Sequence, residues 1–191
     1  SIAALKDLGA DVIDEADIAT AGQYGENEST VLLYELKADL NAYLDGRGPA
    51  VKVKTLEELI AYNEAHADRI MPYFGQERLL QAQAKGPLTD RAYLDALAQN
   101  HRLTRDEGID ATIARHRLDA IVARTGGRAC VVDWVNGDHF GGGSSSPAAV
   151  AGYPHITVPA GFIHDLPVGI SFFASAWQEL ALIKFAYAFE Q

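Results

Sequence analysis

Three consecutive serines, Ser144 to Ser146, follow Gly141 to Gly143 and precede Pro147, and they invite a nucleophile reading. A serine hydroxyl is a poor nucleophile until a neighbouring base takes its proton. Lys85 lies upstream, within Gln-Ala-Lys-Gly-Pro. The serines are read as a loop or the N-terminal cap of a helix, where serine is favoured, with a substrate-pocket contact or a nucleophile as the alternatives. Cys130 is the single cysteine; a reactive thiol would need a base, and His139 lies nearby in sequence alone. It is read as a structural or incidental thiol. Asp133, Asp138 and His139 imitate a metal cluster, but three polar residues around a Gly-rich loop are ordinary, and no metal is expected. His66, His101, His116 and His164 have no ligand spacing, and Glu57-Glu58 and Asp106-Glu107 read as solvent-facing helix carboxylates. Trp134 differs: an aromatic beside a Gly-rich loop can line a pocket, although core packing is the commoner role.

The elements that would position these residues are legible in part. Ile2, Leu5 and Leu8 share a helical face that Gly9 stops, and 10–14 (ADVID) reads as a short strand. Between Ser29 and Asp45, Leu33, Leu36, Leu40 and Leu44 repeat at helical spacing, and Thr55-Leu-Glu-Glu58 is a capping-box start for a helix running towards Met71. Residues 89–117 are helical in composition, with a break expected near Gly108. From Leu118 the pattern changes. Residues 118–123, 156–158 and 168–173 read as strands and 177–189 as a closing helix, with glycine and proline punctuating the region. These strands are apolar without alternation, which suits a sheet covered on both faces. Tyr153-Pro154 and Val158-Pro-Ala-Gly161 are expected to bracket a strand with rigid turns. The fold class expected is α/β: a partial mixed sheet flanked by helices, with 1–117 mainly helical and 118–191 strand-rich.

Composition bounds the function classes. The chain has 191 residues, enough for one sizeable core, and a formal net charge of −10 with 16 scattered Lys and Arg. That balance argues against a nucleic-acid surface. No apolar run approaches the ~20 residues of a membrane span. One cysteine excludes an internal disulfide framework and fits a reducing compartment, so a cytoplasmic location is expected.

The run from Asn136 to Gly161 (NGDHFGGGSSSPAAVAGYPHITVPAG), then Leu166-Pro-Val-Gly-Ile-Ser-Phe-Phe173 and the ending Ala186-Tyr-Ala-Phe-Glu-Gln191, resembles the C-terminal part of the amidase-signature family. Tyr34 to Leu44 is similar to a helix of that family's peptide-amidase-like branch, and 119–123 to the strand before its "APT" turn, where this chain has Ala123-Arg124-Thr125. The resemblance implies an α/β/α fold of much greater length and hydrolysis of carboxamides, including C-terminal peptide amides, through an acyl-serine. It also implies a Ser–cis-Ser–Lys triad carried by "GGSSGG" and "DTGGS" strings, neither of which occurs here. The expectation is thus one wall of a substrate cleft, with no catalytic residue and no cofactor in this chain, and inactivity on its own. Thr125, Trp134, Asn136 and Asp138 are the residues expected to touch a small amide or peptide-amide substrate. An exposed core face would be covered by a second copy or by the rest of a longer protein. The rival readings are a non-catalytic binding module derived from an amidase, and an independent serine hydrolase using Ser144 to Ser146.

Overall fold

The computed structural model describes residues 1–191, which form two compact units, one comprising residues 1–24 and 100–191 and the other residues 25–99. The second unit is helical. Helix α2 (Gly25–Asp45) follows α1 (Ile2–Asp7), and α3 (Leu56–Ala65), α4 (Ala67–Ile70) and α5 (Glu77–Gln83) come next; α6 (Arg91–His101) leads out of it. Thr55 caps α3 as its sequence announces: the Glu58 amide donates to Thr55 Oγ1 at 3.1 Å, and Glu58 reaches back to the Lys54 amide at 2.6 Å. The helix expected to run to Met71 is interrupted at His66, whose φ of −126° leaves helical space. The core here differs from the leucine repeat. Val31 and Tyr34 are buried with Tyr93 and Ala96, whereas Leu36 faces solvent.

The first unit holds a three-stranded sheet in the order β1 (Ile121–Arg124), β3 (Leu166–Phe173), β2 (His155–Ile163), with both pairings antiparallel. Its class is the expected α/β, and helices cover both faces. Val158, Ile170 and Phe172 pack with Leu5 of α1 and with Leu182 and Ala186 of α9 (Glu179–Glu190). On the opposite face Ile121 and Phe173 meet Ile109 and, from α8 (Ser145–Ala151), Ala148 and Ala151. The last four residues of β3 are therefore all buried, which explains the unalternating apolar run.

Two local expectations are corrected. Residues 10–14 belong to no strand, because nothing pairs with them and a strand exists by its ladder. Val158 to Gly161 is not a turn but part of β2, with a register shift between Pro159 and Gly161. Proline is tolerated there because β2 is an edge strand, and Gly161 takes the φ of +121° at the shift. The β2–β3 connection is a two-residue turn in which His164 and Asp165 adopt φ of +49° and +65°.

The break near Gly108 is present. Residues 102–109 form a π-helical segment, Gly108 has non-helical φ/ψ of −101° and −105°, and α7 (Asp110–His116) starts anew. Asp110, at the start of α7, accepts the Tyr153 hydroxyl at 2.7 Å on one oxygen and the Ser175 hydroxyl at 2.6 Å on the other. It ties the helix to the end of the sheet where β2 begins and β3 stops.

Candidate functional site

The face of the sheet that buries Ile121 and Phe173 turns polar towards the other end of β1. Ser171 is fully buried on central β3, and its Oγ meets Thr125 Oγ1 at 2.8 Å and Thr157 Oγ1 at 3.1 Å. Gly169 makes this approach possible, since a Cβ there would lie 2.8 Å from Thr125 Oγ1 and 2.9 Å from Thr157 Cγ2. Thr125, an expected substrate contact, is thus anchored through its hydroxyl to the sheet, and its amide donates to Gly169 O at 2.9 Å.

Immediately beyond Thr125 the chain leaves the sheet and returns beside itself. Gly126 pairs with Gly143 as an isolated antiparallel bridge, the Gly127 amide donates to Gly142 O at 3.2 Å, and the Ser144 amide donates to Thr125 O at 3.2 Å. This Gly-lined neck closes a loop of residues 128–140. Trp134, Asn136 and Asp138 all lie on that loop and all are exposed. The loop is unusually apolar for its exposure: Val131, Val135 and Phe140 are each more than 80% exposed and Trp134 62%.

Asp133 organises the tip. Its Oδ1 accepts the Val135 and Asn136 amides, both at 2.9 Å, its Oδ2 accepts Asn136 Nδ2 at 3.1 Å, and its own amide donates to Asp138 Oδ1 at 2.9 Å. The Asn136 backbone and side-chain donors, then Val135, hold the Asp133 carboxyl below the usual carboxylate range. Asn136 and Asp138 are thereby brought together with Asp133 in one turn. This is an Asx-type turn, so an Asp with an Asn three residues on was the available signal; the metal-cluster resemblance obscured it. No group of three His, Cys, Asp or Glu side chains is placed to hold a metal.

The serines lie where the neck returns. Ser144 is the N-cap residue of α8, as expected for the cluster, although its side chain makes no capping hydrogen bond. Its Oγ is buried without a partner, so no base is in place to take its proton. His155, at the start of β2, stacks on Phe173 with ring centroids 5.7 Å apart. Burial holds its imidazole below the ordinary histidine value, and its Nε2 has no partner. Cys130 is exposed on the loop.

No family model matches the chain. It is 35% identical over its whole length to a probable amidase of Arabidopsis thaliana, of which it covers 35%. Among solved structures, native peptide amidase from Stenotrophomonas maltophilia superposes with a TM-score of 0.83 at 45% identity, over 91% of this chain and 34% of that one. An amidase family protein from Bacillus anthracis gives 0.78 at 26% identity, over 100% of this chain and 34% of that one. These relatives support the amidase-signature family, and within it a peptide-amidase-like branch. The chain spans about a third of the length of these relatives, and the resemblance is to the family's C-terminal portion. No helix is long and apolar enough to cross a membrane.

Proposed function

We propose that these residues form one wall of the substrate cleft of a carboxamide-hydrolysing enzyme that acts through an acyl-serine. The observation that carries this reading is the Gly-necked loop 128–140, which presents Trp134, Asn136 and Asp138 on a framework stiffened by Asp133. Its exposed valines, Trp134 and Phe140 suit an apolar side chain next to the scissile carboxamide, and the polar tip suits the amide itself. Thr125, through its bond to Ser171, anchors the strand from which the loop departs.

The chain's own serines do not supply the chemistry in this reading. Ser144 Oγ lacks a base, and the lysine–serine–serine strings of the family are not in this sequence. Losing a nucleophile–base unit costs on the order of 10⁶ in kcat in a comparable hydrolase. The 191 residues alone are therefore inactive.

The test uses an amidated peptide with an apolar C-terminal residue. The isolated chain should release no ammonia. The enzyme that carries these residues should release it, and Trp134→Ala should raise KM while leaving kcat nearly unchanged. Hydrolysis by the isolated chain that disappears when Ser144 to Ser146 are all replaced by alanine would sink this reading and favour an independent serine hydrolase.

A further inference from the structure

We propose that Arg124 is the positioning residue of the loop 128–140: its guanidinium closes the neck and so sets where Trp134, Asn136 and Asp138 stand. The proposal rests on the reading above in one respect, that these three residues meet the substrate.

The neck is made almost entirely of glycine. Gly126 and Gly127 face Gly141 to Gly143, so the two strands bring no side chains to hold each other. The closeness demands it. A Cβ on Gly127 would lie 3.0 Å from Gly141 Cα, and one on Gly143 would lie 2.8 Å from Thr125 O. Glycine also has the largest conformational freedom to lose on ordering. A pairing of this kind, held by backbone bonds at 3.2 Å, opens readily on its own.

Arg124, the last residue of β1, supplies the missing side-chain contact. Its Nη2 donates to Gly141 O at 2.7 Å, the distance of a charge-assisted bond, and joins the strand that leaves the sheet to the strand that returns. Asp133 ties 133–138 into one piece at the far end of the loop. A change at the neck therefore moves the tip as a body, displacing Trp134, Asn136 and Asp138 together. Arg124 is itself exposed, so its removal leaves both core clusters intact.

The experiment compares Arg124→Ala, Arg124→Lys and the neighbouring Arg128→Ala in the enzyme that carries these residues. It combines hydrogen exchange of the segment 125–143 with steady-state kinetics. Arg124→Ala should speed exchange at the neck by about tenfold, as loss of a charged hydrogen bond implies, with exchange in the sheet unchanged. KM should rise several-fold while kcat stays within about twofold, because the chemistry is untouched and the substrate contacts are displaced. Arg124→Lys, which keeps a donor and the charge, should recover most of both effects, and Arg128→Ala should show neither. Unchanged exchange at the neck in Arg124→Ala overturns the proposal. So does faster exchange spread evenly over the sheet, which would mark a general loss of stability. A loosened neck with unchanged KM supports the role of Arg124 at the neck and overturns instead the substrate contact assigned to the loop.

Discussion

Replacing Gly108 by alanine sets two effects of opposite sign against each other. By helix propensity, and by the lower entropy of the unfolded chain, the change should stabilise by up to about 1 kcal/mol. The structure demands the reverse. A Cβ on Gly108 would lie 2.5 Å from the Leu103 carbonyl oxygen and 3.3 Å from Thr20 Oγ1. The Leu103 oxygen is a backbone atom and cannot swing aside as a flexible side chain would. To reach even 3.0 Å it must move by roughly half an ångström, within a buried contact where overpacking costs about 1–3 kcal/mol. That same oxygen accepts the buried Thr20 hydroxyl at 2.6 Å. Leaving the hydroxyl unsatisfied adds about 1–3 kcal/mol. The clash and the broken bond outweigh the propensity gain, and the net expectation is a loss of about 2–4 kcal/mol. Urea unfolding should show a lower midpoint at unchanged slope. Thr20→Val should already have spent the hydrogen-bond part, so Gly108→Ala in that background should cost about 1 kcal/mol less. A stability equal to or above the parent's would refute the reasoning, since it would mean that residues 102–109 relax around the new methyl freely.

Two further changes probe the first unit. Asp110→Ala removes the acceptor of the Tyr153 and Ser175 hydroxyls and should cost about 2–4 kcal/mol in unfolding experiments. Burial first, and then the Asp110 bond and charge, push the Tyr153 phenol up to about 12; tyrosinate absorbance should show it falling part of the way back to 10 in Asp110→Ala, because burial remains. His155, held low by burial, should make stability fall as pH drops below 6.5, because the unfolded chain binds the proton that the folded chain refuses. Unfolding between pH 7.5 and 5 should show a shallower loss in His155→Gln, with a residual slope from His101, which burial and then Arg105 also hold low.

Much of the local structure was legible because its causes are local. Thr55 with Glu58 announces α3, and Gly108 announces the kink. Trp134, Asn136 and Asp138 share one loop, as their closeness in sequence requires, and their contact with substrate is a proposal. Their organiser was not legible. Asp133 read as an ordinary polar residue of a Gly-rich loop, when its carboxylate accepts backbone amides and organises the turn. Arg124 read as a disturbance of an expected proline, when its reach to Gly141, seventeen residues away in sequence, closes the loop. The hairpin turn at His164-Asp165 was missed because neither residue is glycine or asparagine, the usual sign of positive φ.

The sequence by itself pointed to the amidase-signature family, the α/β class and the positions of the main strands and helices. These follow from periodicity, glycine and proline placement, and motif strings, each confined to a few neighbouring residues. Only the tertiary structure decided which residues are partners across distance. It made Tyr34 rather than the full leucine stripe the core of the helical unit, left 10–14 unpaired, and absorbed Pro159 into an edge strand. It also fixed Thr125 to Ser171 and Arg124 to Gly141. The reason is physical: a ladder, a buried hydroxyl or a loop neck is defined by the atom on the other side, and that atom is supplied by a residue whose distance along the chain carries no information about it.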